Sequence, residues 1–148
     1  MQSQQFTAEL WLPQPPEEVF PFFADAFNLE EITPPWLRFR VLTPGPIPMA
    51  PGTVIDYRLR LHGVPIRWRS EITAWEPPHR FVDEQRKGPY HLWRHEHLFE
   101  PQAGGTRCVD HVDYAHRGGR LIHRFLVRPD VEAIFRFRQE RLRERFAR

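Results

Sequence analysis

Gly88-Pro-Tyr-His-Leu-Trp-Arg-His-Glu-His-Leu-Phe-Glu100 decides how this chain folds. As a strand, its alternation puts His91, Trp93, His95, His97 and Phe99 on one face and Tyr90, Leu92, Arg94, Glu96 and Leu98 on the other. Burying the second face would strand Arg94 and Glu96 away from water, which is costly, so the first face is the inner one. Two imidazoles between a Trp and a Phe make an unusual dry core, because each needs hydrogen-bond partners. A partly wet internal cavity would use them, and the inference is an internal ligand pocket of a few hundred Å³.

Working outward, Lys87-Gly88-Pro89 and Ala103-Gly104-Gly105 read as turns bounding this strand. Phe81–Gln85 precedes it and Thr106–Ala115 follows it, both as strands. Further upstream, Ile55, Tyr57, Leu59 and Leu61 alternate toward a His62-Gly63 turn. Ile66, Trp68, Ser70, Ile72 and Ala74 continue the same apolar face beyond that turn. Phe6–Leu12 forms a first strand, ended by Pro13, Pro15 and Pro16. Glu17 and Glu18 then suit the start of a short helix carrying Val19, Phe20, Phe22 and Phe23. Asn28–Ile32 reads as a second helical turn, and Trp36, Leu37 and Phe39 lead into a strand through Leu42. From Arg120 the period becomes helical, with a restart at Arg128-Pro129-Asp130. The stripe beyond it is Val131, Ile134, Phe135, Arg138 and Leu142. The expected architecture is α+β: a bent antiparallel sheet, two short helices after its first strand, and a long C-terminal helix packed on it.

With 148 residues, 27% of them charged and 41% hydrophobic, the chain fits one globular domain over residues 1–148 rather than a disordered segment. No apolar run reaches membrane-spanning length, and the N-terminus has no basic region followed by an apolar stretch. A cytoplasmic location is therefore expected. Lys87 is the only lysine, so the net charge of +2 is almost wholly arginine. The terminal arginines from Arg136 to Arg148 are diluted by Glu140 and Glu144 and complement a helix C-terminus, so no nucleic-acid partner is expected. Cys108 stands alone, which excludes a disulfide framework and a cysteine-based zinc site.

The strings PPEEVFPFFADAFNLEEITPPWLRFRVLT (15–43), GTVIDYRLRLHGVPIRWRSEIT (52–73) and FVDEQRKGPYHLWRHEHLFE (81–100), with DHVDY (110–114) and IFRFRQERL (134–142), resemble the SRPBCC superfamily. That superfamily groups START lipid-transfer domains, birch-pollen-allergen-like proteins and polyketide cyclase/dehydratases. The resemblance spans essentially the whole chain and is nearest to bacterial single-domain ligand-binding members. It implies the helix-grip fold, in which the long helix encloses a cavity against the curved sheet. It also implies an apolar or aromatic ligand that is lipid-, polyketide- or isoprenoid-like. Carrier and cyclase/dehydratase activities both occur on this fold, which does not itself give the chemistry.

The candidate ligand-binding residues are Tyr57, Trp68, Gln85, Trp93, His95, His97, Phe99, Asp110 and Tyr114. Tyr57 and Tyr114 fall on inner faces, where each phenol could meet a ligand or bond to backbone. Asp83 and Gln85 share a face with Phe81. They point inward if Phe81 does, with Gln85 near the mouth; otherwise they face water. His95, His97 and Asp110 are the catalytic candidates should there be turnover, acting as general acid or base. His95 and His97 lie about 7 Å apart in Cα, a spacing that suits metal ligation, but zinc needs a third protein ligand. Asp110 is the best donor for that position. Without a further histidine cluster, the expectation is a hydrogen-bonded polar patch with no metal and no cofactor. No Gly-x-Ser-x-Gly elbow surrounds Ser70, and no phosphate-cradling glycine loop is present. A small hydrophobic ligand is the expected partner, bound by a monomer or homodimer.

Overall fold

The computed structural model describes residues 3–147. Its seven strands are β1 (Gln4–Leu12), β2 (Arg40–Val41), β3 (Val54–Leu61), β4 (Val64–Glu76), β5 (Arg80–Lys87), β6 (Leu92–Gln102) and β7 (Gly105–Ala115). They form one sheet in the order β1-β7-β6-β5-β4-β3-β2. Every neighbouring pair is antiparallel. Hairpins join the strands from β3 to β7. His62 and Gly63 turn one of them with φ of 48° and 80°, and Ala103 and Gly104 turn another with φ of 52° and 80°. Both turns have the paired left-handed residues that match the twist of the strands they connect. Gly105 belongs to β7 rather than to the turn. A Cβ there would lie 2.1 Å from the Leu12 carbonyl oxygen, so only glycine lets β1 approach this closely.

The segment between β1 and β2 covers one end of the sheet. Helix α1 (Pro16–Phe23) starts with Pro16 at its first position, carries Glu17 and Glu18 in its first turn, and buries Val19, Phe20, Phe22 and Phe23. The second helical turn lies at Ala26–Glu30, two residues earlier than the sequence pattern predicts, and is 3₁₀ rather than α. Its position is set by Asp25, whose side chain accepts from the Phe27 N–H and caps the turn. A further 3₁₀ turn, Pro35–Leu37, leads to β2.

The chain ends in one long helical rod. α2 (Gly119–Ile122) runs through a π-helical turn, His123–Val127, into α3 (Arg128–Arg145). α3 opens at Arg128 with Pro129 in its first turn, where the restart is expected, but it follows the preceding turns without a break. Proline has no N–H and its ring crowds the carbonyl four residues back. The wider turn, in which the Arg128 N–H donates to the His123 carbonyl, carries the helix past it. Val131, Phe135 and Leu142 of α3 are buried, while Leu121 and Phe125 stay exposed. Phe135 meets Phe6 of β1 at 5.0 Å between ring centroids, and Gln139 Nε2 donates to the Glu9 carbonyl of β1. At the α1 end, Phe20 and Phe23 pack on Phe81 and Phe99 in an aromatic core closed by Leu10, Leu12 and Leu142. No helix among the described residues is long and apolar enough to cross a membrane.

Candidate functional site

Where α1 does not fill the space between sheet and α3, a cavity of about 170 Å³ opens. Its walls are largely apolar and include Leu37, Phe39, Tyr57, Trp68, Trp93 and Ile134. Trp68 and Trp93 meet edge to face at 5.5 Å, and Tyr90 packs against both. The Trp68 indole N–H donates to Ser70 Oγ, a buried hydroxyl also on the wall. Burial, reinforced by the charge of Asp83, pushes the Tyr57 phenol far above its ordinary value, so it is a neutral hydrogen-bonding group.

One end of this cavity is polar. Asp83, His95, His97 and Arg138 all reach it. In the β5–β6 ladder Asp83 stands opposite His95, and in the β6–β7 ladder Asp110 stands opposite His97. The hydrogen bonds run diagonally instead. His95 Nε2 lies 2.7 Å from Asp110 Oδ1, and His97 Nε2 lies 2.7 Å from Asp83 Oδ2. Diagonal neighbours on one sheet face are within reach of long side chains, and here the crossing lets the two imidazoles stack at 3.6 Å. Phe81 stacks on the far side of His97 at 3.9 Å and Phe135 sits edge-on to His95 at 5.4 Å, so both rings are clamped.

The proton positions follow from the partners. Arg138 Nη2 is 3.4 Å from His97 Nδ1, and a guanidinium can only donate, so that nitrogen accepts. Burial, with the neighbouring His95 and Arg138 charges, drives His97 well below its ordinary range. His97 is therefore neutral, with its proton on Nε2 donating to Asp83. Burial would raise Asp110, but Arg138 and the hydrogen bond from His95 outweigh it and hold this carboxylate well below the usual range. An ionised Asp110 only accepts, so His95 donates from Nε2. Asp83 goes the other way: burial raises it more than the His95 and Arg138 charges lower it. Two carboxylates flanking the same pair of rings are thus pushed in opposite directions.

The structure distributes the sequence-derived candidates unevenly. Tyr57, Trp68, Trp93, His95 and His97 line the cavity, and Asp110 braces His95 from behind. Phe99 is inward-facing but outside the cavity, because α1 covers that end of β6 and Phe20 and Phe23 occupy the space. Gln85 is spent on backbone. Its amide donates to the Tyr90 carbonyl and accepts from the Tyr90 N–H, bracing the β5–β6 turn. Tyr114 is fully buried behind Trp93, with its hydroxyl 2.7 Å from His123 Nε2, and does not reach the cavity. The face assignment also fails at the start of the quoted stretch: His91 is exposed beside Arg117, and Tyr90 turns inward onto Trp68. The ladder only begins at Leu92, so alternation is not enforced before it. Strand alternation and motif spacing do not assign Arg138 or Ser70 to the site, and they give Asp83 no role in it. The signal for Arg138 is a charged residue inside an otherwise apolar helical stripe.

A family model described as polyketide cyclase/dehydrase and lipid transport matches residues 12–143. The chain belongs to this family. Among solved structures, this family member resembles the Zhui aromatase/cyclase from Streptomyces sp. R1128, at 17% identity and a TM-score of 0.68 over 99% of this chain and 98% of that one. It also resembles the protein TTHA0849 from Thermus thermophilus, at 23% identity and a TM-score of 0.65 over 93% and 96%. Ara h 8.0201 aligns at 17% identity and a TM-score of 0.66 over 94% and 97%. At these identities the likeness is one of fold, and it places the chain in the helix-grip class. No curated protein matches the sequence.

Proposed function

We propose that this chain binds a small, largely apolar or aromatic molecule between the sheet and α3, as a carrier or binding protein. The observation that carries this reading is a cavity with aromatic walls and one polar end. An apolar body would pack on Trp68, Trp93 and Phe39, while an oxygen on the same molecule meets Arg138 and the histidines. Arg138 Nε is buried with no hydrogen-bond partner among the described residues, so it has a donor to spare for such an oxygen. The family's description, which includes lipid transport, supports a ligand of this class. Native mass spectrometry of chain purified without denaturation tests it. The expected result is a one-to-one adduct with an apolar small molecule, lost on denaturation.

A second reading, a cyclase/dehydratase-like enzyme, is favoured by one feature. Asp110 fixes the His95 ring through Nε2, so in the neutral form of His95 the Nδ1 nitrogen is the one that can act as a general base. The aromatase/cyclase with the same fold supports this alternative. Incubation with a linear poly-β-ketone separates the two readings. Turnover, with loss of water and dependence on His95, would make the chain an enzyme.

A further inference from the structure

We infer that the polar end of the cavity is a binding site for one divalent transition-metal ion of the zinc class, held by Asp83, His95 and His97. The inference rests on the cavity reading above and adds a Lewis-acidic centre to it. Each of the three residues offers one donor atom, and the three donors lie within 4.8 Å of one another. Donors around a tetrahedral ion with bonds of about 2.1 Å sit about 3.4 Å apart, so His97 Nε2 and Asp83 Oδ2, now 2.7 Å apart, must open by roughly 0.7 Å to admit it, a movement the Asp83 side chain can make while the stacked rings stay in place. Two imidazoles and one carboxylate, with further positions open, form the donor set of catalytic rather than structural zinc sites.

The surroundings fit this use. His95 Nε2 donates to Asp110, which leaves Nδ1 as its metal-binding nitrogen and gives it a carboxylate brace of the kind that orients metal-bound histidines. His97 Nε2 already faces Asp83 at 2.7 Å; with a cation between them its proton moves to Nδ1, which gives up the Arg138 N–H it accepts from and turns its own N–H toward Asp110 Oδ1, 3.6 Å away. Asp110 would then brace both ligand rings. Ligation would also be electrically balanced. In a metal-bound cluster with both imidazoles neutral and both carboxylates ionised, the carboxylates outnumber the Arg138 guanidinium by one. A divalent ion carrying one hydroxide, or one anionic oxygen of a cavity ligand, closes that balance to zero. Arg138 is positioned beside it to hold the same oxygen. The site therefore selects ligands that present an enolate, phenolate or carboxylate oxygen at the head of an apolar body.

The test uses untagged chain stripped with chelator, then titrated with Co²⁺ and followed by its visible absorption, with Zn²⁺ competition. The expected result is one Co²⁺ per chain with four- or five-coordinate bands, displaced by Zn²⁺. Asp83→Asn, nearly isosteric, should weaken binding about 100-fold or more, and Asp110→Asn about 10- to 100-fold. His116→Ala, which removes one of a surface pair stacked with His123, should leave binding intact. Wild-type chain that takes up no stoichiometric Co²⁺ overturns the inference, as does binding that survives Asp83→Asn or vanishes in His116→Ala. The fluorescence of 1-anilinonaphthalene-8-sulfonate with stripped chain reports the cavity separately. Probe binding without metal uptake would overturn the metal site and leave the cavity reading standing, while metal uptake without probe binding would do the reverse.

Discussion

His97 shows how much of the site rests on single contacts. Its ring is stacked between Phe81 and His95, donates to Asp83 and accepts from Arg138. His97→Phe should keep the stacking and the fold, yet leave Asp83 and Arg138 short of a partner, at a cost of about 1–3 kcal/mol. Urea denaturation should show that loss, and affinity for a cavity probe should fall with it. Affinity unchanged from wild type would remove His97 from the ligand site. Cys108 gives a different prediction. Burial, with the charge of Asp110, pushes its thiol up to about 12, so at pH 8 almost none is thiolate. Native chain should resist iodoacetamide at pH 8 and react once unfolded; rapid native alkylation would contradict the buried assignment. At this scale the sequence reveals which side chains point inward from β6 but not which partners they choose. Alternation puts Asp110 on the inner face beside the two histidines, and only the structure shows that it stands opposite His97 yet bonds to His95.

Among the elements, the strands are legible in the sequence and the boundaries between helices are not. Period-two patterning on β3, β4 and β6 is imposed by burying one face of a sheet, so composition carries it directly. Phe99 misleads because the same inward face serves two environments along β6: cavity at His95, packed core under α1 at Phe99. Pro129 marks the first turn of α3, but proline gives no sign that a π-helical turn joins α3 to α2 without a break. The β1–β7 pairing supplies a sharper check. Gly105→Ala would drive a methyl group into the Leu12 carbonyl and the Trp11 ring, and backbone there cannot yield as a flexible side chain would. Thermal denaturation should register a loss of about 1–3 kcal/mol, the usual cost of overpacking. A neutral effect would mean that β1 does not approach β7 this closely.

The whole molecule joins these scales through one division of space. Helix α3 lies across the sheet, α1 and its phenylalanines fill one end, and the remaining end stays open behind Leu37, Phe39 and Ile134. The inner face of β6 runs through both ends, which is why its sequence mixes aromatic rings with imidazoles. The central claim is that the open end receives an apolar molecule with an oxygen at its head. It is tested most directly by titrating ¹⁵N-labelled chain with 2-naphthol, an aromatic body bearing one hydroxyl, and following amide and indole shifts. Saturable changes should centre on Trp68, Trp93, Tyr57 and the His95–His97 segment, and Trp75, which packs in the α1 core, should stay still. Shifts that are absent, or that gather on the outer sheet face instead, would contradict the account.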